Sequence, residues 1–140
     1  MIIRILLATA MLILGACANT GAVYDTYVAA TENQLETRSY QTRDFSDVEY
    51  RKLMQAMVGT LQDYHFRIRE VDTDLGTITA FQNTRGAGST ELTIFVKSSG
   101  LRQHAVRINM LTGLKVENEP GLYQKFFTAV RKQLHYQGNV

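Results

Sequence analysis

Cys17 is the only cysteine among 140 residues, so its thiol has no partner in the chain for a disulfide, a cysteine zinc cluster or a dithiol redox pair. What remains is nucleophilic chemistry at sulfur. Three histidines, His65, His104 and His135, are the side chains that titrate near neutrality, and none has a second ligand two or four residues away. That spacing predicts no metal and no cofactor. His65 and His135 fall at or near helix ends, where local backbone roles account for them, and His104 is expected on a strand surface. No serine lies in a nucleophile-elbow setting, so the expectation is a protein that is not an enzyme. Gly86-Ala87-Gly88-Ser89 lacks the Gly-Lys-Ser/Thr ending and the following helix of a phosphate loop. It reads as a hairpin tip.

Arginine offers the remaining polar chemistry. Arg67, Arg69, Arg85 and Arg107 form a candidate contact face that would dock acidic protein or lipid head groups if they project together. The alternative is a solvated face balanced by Glu70, Asp72 and Glu91. A formal charge of +2 is too small to predict nucleic acid as a partner.

The N-terminus supplies the context for the cysteine. Arg4 precedes an apolar run from Ile5 to Leu14, and small residues Gly15 and Ala16 stand before Cys17. This is a signal-peptide layout, and about ten apolar residues fall short of the roughly twenty that a membrane-spanning helix requires. Leu14-Gly15-Ala16-Cys17 resembles the lipobox of bacterial lipoproteins. That resemblance implies cleavage before Cys17 and attachment of diacylglycerol to its sulfur, with residues 1–16 removed. The alternative is an ordinary secretory peptide cut after Ala18. With each buried methylene worth about 0.8 kcal/mol, two or more acyl chains hold a protein at a bilayer without any transmembrane helix. For a Gram-negative lipoprotein, Ala18 in place of Asp after the cysteine implies transfer to the outer membrane, facing the periplasm.

The elements follow from residue periodicity. Residues 17–38 read as the lipidated N-terminus and a tether, with a short helix from about Val23 to Glu36 as one option, and residues 39–140 as one globular domain. Ser39 to Phe45 reads as a strand. Ser46 and Glu49 fit a capping box, with Phe45 and Tyr50 as a hydrophobic staple, opening a helix whose stripe is Leu53, Ala56, Met57, Thr60, Leu61 and Tyr64. Phe66 to Arg69 alternates until Glu70-Val71 breaks the register, which predicts a bulge or an early end. Asp72 to Gly76 turns, Thr77 to Gln82 returns, and Glu91–Lys97 with Gln103–Met110 makes a further hairpin. Leu114-Lys115-Val116 is a short edge segment. Pro120 suits the first turn of a final helix striped by Leu122, Phe126, Ala129, Val130 and Leu134. Tyr123 and Phe127 lie beside that stripe, either as exposed aromatics or as part of a wider buried face.

Strand, helix, four-stranded meander and helix pack most economically as a two-layer α+β sandwich, an antiparallel sheet of four to five strands with two helices on one face. The helix followed by Phe66-Arg67-Ile68 and Asp74-Leu75-Gly76-Thr77-Ile78-Thr79-Ala80 is similar to the BamC-like helix-grip domains of the β-barrel assembly machinery. That resemblance implies service to an envelope assembly. The expected function is therefore a non-enzymatic, outer-membrane-anchored accessory module whose partners are the membrane, through Cys17, and other envelope proteins. The alternative is a binder of a small apolar molecule or lipid between the sheet and the last helix, decided by whether Phe81, Phe95, Phe126 and Phe127 fill that cleft or line it.

Overall fold

A computed structural model describes residues 33–84 and 88–137. Two units divide the chain, Met1–Glu36 and Thr37–Val140; of the first, only residues 33–36 are described, and they are helical and exposed. A helix over 33–41, α1, is followed by β1 (Thr42–Ser46), α2 (Tyr50–Asp63), β2 (Arg67–Asp72), β3 (Thr77–Thr84), β4 (Gly88–Gly100), β5 (Gln103–Thr112), β6 (Lys115–Val116) and α3 (Pro120–Gln137). The result is mixed α+β, an antiparallel sheet with helices packed on it. From β1 to α3 the element order is the one the sequence predicts.

The sheet runs β1-β5-β4-β3-β2, and β6 adds to the far end of β5. Alternation assigns its two faces. Ile78 and Ala80 of β3, Leu92, Ile94 and Val96 of β4, and Val106 and Ile108 of β5 are buried against the helices. Leu53, Met54, Ala56, Met57 and Leu61 of α2 and Tyr123, Phe126, Phe127 and Val130 of α3 close that core. Each such aliphatic or aromatic side chain contributes about 1.5–3 kcal/mol when fully removed from water. The wider stripe of α3 is thus the one adopted, for Tyr123 is 0% exposed and Phe127 2%.

Four local expectations are corrected. Residues 39–41 are helical rather than extended, because Tyr40 and Gln41 meet Tyr123: the two tyrosine rings lie 5.4 Å apart, and Gln41 Nε2 donates to the Tyr123 hydroxyl at 3.4 Å. The capping box does not form. Ser46 pairs with Gln103 in the β ladder, Asp47 takes a left-handed conformation with φ 59°, and α2 starts later with Glu49 at its N-cap and no side-chain cap. Phe45, committed to the core, packs on Phe127 at 6.3 Å instead of stapling Tyr50. Finally, β4 runs through Gly100, longer than expected, since its whole length finds partners in β3 and β5.

Two turns depend on unusual backbone. At Gly76, φ is +69°, and a Cβ there would lie 2.4 Å from the Val96 carbonyl oxygen, so the β2–β3 turn can close on β4 only with glycine. At the end of α2, His65 is left-handed at φ 61°, with His65 N–H donating to Gln62 and Phe66 N–H to Leu61. That pair of bonds is a Schellman closure.

Candidate interaction surfaces

The face of the sheet opposite the helices carries three of the four predicted arginines, Arg67, Arg69 and Arg107. Arg67 pairs with Phe81, and Thr42, Arg107, Phe95, Thr77 and Asp72 form one cross-strand row. Arg69 lies 2.6 Å from Glu91 and 5.3 Å from the centre of the Phe81 ring. Arg107 lies 5.4 Å from that of Phe95. Each guanidinium therefore roofs a phenylalanine, a contact that shields apolar ring from water and satisfies the cation at once. Arg67, Arg69 and Arg107 thus share a face, and Glu70, Asp72 and Glu91 are interleaved with them. Arg85 and Cys17 lie outside the described residues.

His104 is not on a strand surface; that expectation is overturned. It is 2% exposed on the helix-facing side of β5, between Ser98 Oγ, 2.8 Å from Nδ1, and the Val48 carbonyl oxygen, 3.0 Å from Nε2. A carbonyl can only accept, so in the neutral ring Nε2 donates to Val48 and Nδ1 accepts from the Ser98 hydroxyl. In a nucleophilic triad the far nitrogen meets a carboxylate that stabilises the imidazolium; here it meets a neutral main-chain oxygen. The arrangement ties the loop before α2 to the sheet, and Arg102, donating to the Asp47 carbonyl, reinforces it. His135 is exposed in the last turn of α3. Among the described residues, no three His, Cys, Asp or Glu side chains converge as a metal-binding group.

Tyr123 organises a second buried polar cluster. Its hydroxyl accepts from Gln41 and donates to the Glu117 carbonyl at 2.8 Å. Burial raises its pKa, with Tyr40 and Glu117 adding to the effect and the hydrogen bonds to Gln41 and the Met110 main chain opposing it.

Among the described residues, two concavities are walled mainly by apolar side chains. Phe126 and Phe127 fill the space between sheet and α3, while Phe81 and Phe95 stand on the other face. What is left of the cleft is a recess of about 420 Å³ at one end, walled by Tyr64, Phe66, Met110, Leu122 and Phe126 with Lys125 beside them. The larger concavity, about 590 Å³, is an open groove between α2 and the outermost strand β2. Met54, Val58 and Val71 give it an apolar floor, Gly59 leaves room beside the helix, and Arg51 and Asp74 supply charge. Tyr50 braces one end by donating to the Thr73 carbonyl at 2.6 Å.

Sequence reasoning missed this groove. Its signal was present in Val58 and Val71, apolar residues that fall outside the stripe of α2 and the regular alternation of β2. No helix among the described residues is long and apolar enough to cross a membrane. The chain matches no protein-family model and no curated protein.

Proposed function

We propose that this chain is a non-enzymatic lipoprotein of the outer membrane, fastened through Cys17, whose α+β domain is a periplasmic interaction module of an envelope complex for barrel assembly, secretion or efflux. The groove between α2 and β2 carries the interaction reading. It joins an apolar floor to a sheet edge that has no strand partner among the described residues, and such an edge accepts an added strand through main-chain hydrogen bonds. The Leu14-Gly15-Ala16-Cys17 run supports the address.

In-cell crosslinking followed by mass spectrometry, on wild type and Cys17→Ser, tests this reading. The expected result is one envelope complex recovered with wild type and lost with Cys17→Ser, which moves to the soluble fraction. Unchanged fractionation of Cys17→Ser, or a mature N-terminus without acyl mass, rejects it. A second reading, a binder of small apolar molecules, is favoured by the recess beside Phe126, where Lys125 would meet an acidic head group. Native mass spectrometry showing a defined small molecule on the monomer would select it.

A further inference from the structure

The outermost strand β2 reads Arg-Ile-Arg-Glu-Val-Asp, residues 67 to 72. Charge along it is anti-symmetric about its midpoint: plus, apolar, plus, minus, apolar, minus. In a regular strand this would be of no use for pairing with itself, because residues equally distant from a midpoint between two positions point to opposite faces. The register shift between Ile68 and Glu70 changes that. Arg67, Glu70 and Asp72 pair with Phe81, Thr79 and Thr77 on the open face, and Ile68 and Val71 pair with Ala80 and Ile78 on the helix-covered face. Arg69 lies on the open face too, against Phe81 and Glu91. Facing therefore runs open, covered, open, open, covered, open. The bulge has made β2 symmetric in facing and complementary in charge.

We propose that β2 is the seam of a homodimer, in which two copies of this chain join their sheets antiparallel about a two-fold axis normal to the sheet between Arg69 and Glu70. Arg67 then faces Asp72 of the second copy, Arg69 faces Glu70 of the second copy, and Ile68 faces Val71 of the second copy. Every arginine meets an acid, and the apolar pair lies on the helix side, where Val71, 41% exposed, extends the floor of the groove under α2. The two grooves join across the axis into one wider trough, so that the apolar floor stays open to an envelope partner while the second copy supplies the strand that the edge accepts. A slip by one residue would set Ile68 and Val71 against charged positions on the wrong face, so one register is selected. An edge strand of mixed charge ordinarily discourages pairing; about this axis alone it favours it.

Sedimentation velocity on the chain as it matures in the cell, in mild detergent, tests the inference independently of the anchoring. Wild type is expected to dimerise. Glu70→Arg sets arginine against Arg69 of the second copy, and Arg69→Glu sets glutamate against Glu70 of the second copy, so each alone is expected to weaken self-association at least about tenfold. An equimolar mixture of the two variants restores both facing pairs and is expected to form a heterodimer near wild-type strength. Circular dichroism confirms the fold of each. If Arg69→Glu fails to fold, Arg67→Glu, which faces Asp72 of the second copy, replaces it as a second dissociating variant. A wild type that stays monomeric to about 100 μM, weaker than a specific interface of ordinary size gives, overturns the proposal. So does a dimer indifferent to both charge reversals, which would place the contact elsewhere.

Discussion

His104 Nε2 lies 3.0 Å from the carbonyl oxygen of Val48, a residue 56 positions earlier in the chain. Through that bond, and the bond from Ser98 at 2.8 Å to Nδ1, one buried ring fastens the turn before α2 to the β4–β5 hairpin. Truncating it leaves a part-buried carbonyl unpaired as well as a void. His104→Ala is expected to lower stability by about 2–4 kcal/mol, measured by urea denaturation. A loss below about 0.5 kcal/mol would show that the ring anchors nothing.

Two left-handed positions should respond in opposite directions to substitution. Gly76→Ala drives a Cβ to within 2.4 Å of the Val96 carbonyl at φ +69° and is expected to cost about 2–4 kcal/mol. His65, at φ 61°, holds a helix-ending position that glycine favours. His65→Gly is expected to raise stability by up to about 1 kcal/mol in the same denaturation experiment.

The tyrosine hydroxyls predict an alkaline limit. Burial is the chief cause that raises both Tyr123 and Tyr50 above the ordinary 10.0, with Asp72 and Asp74 adding to the effect at Tyr50. The unfolded chain releases these protons first, so above about pH 10 it binds fewer protons than the folded state and stability falls as pH rises. Below that pH their contribution is fully present. Urea midpoints are expected to hold to about pH 9 and then decline through the raised folded pKa values. Tyr123→Phe should flatten part of that decline while lowering the plateau, because Gln41 and the Glu117 carbonyl lose their partner.

Thr79 Oγ1 is buried on the open face of the sheet without a hydrogen-bond partner among the described residues. Replacing the hydroxyl by a methyl of similar size keeps the β-branched shape and removes the desolvation cost. Thr79→Val is expected to be neutral or stabilising by up to about 1 kcal/mol. Thermal melts that show clear destabilisation would mean that water or another group satisfies the oxygen.

Much of the candidate site could be read only in outline. The break at Glu70-Val71 was visible as lost alternation, yet its meaning for pairing required knowing that β2 ends the sheet. Val58 and Val71 were visible as apolar residues off the main stripes, but nothing local says that α2 and β2 leave a groove between them. For His104, residue type points to solvent, whereas its place in the series with Val106 and Ile108 puts it on the covered side of β5. Burial there depends on Ser98 and Val48, supplied by other segments.

By itself the sequence determined the order of the elements, the turn that closes at Gly76, the start of α3 at Pro120 and the stripe of α2 from Leu53 to Leu61. These follow from periodicity and backbone chemistry, which act over a few residues. Only the tertiary structure decided that Ser46 stays in a strand rather than capping a helix, that residues 39–41 coil against Tyr123, and that Arg69 and Arg107 of the open face lie over phenylalanine rings. Those outcomes turn on groups far apart in the chain, where ladder pairing and burial outweigh local preferences of about 1 kcal/mol.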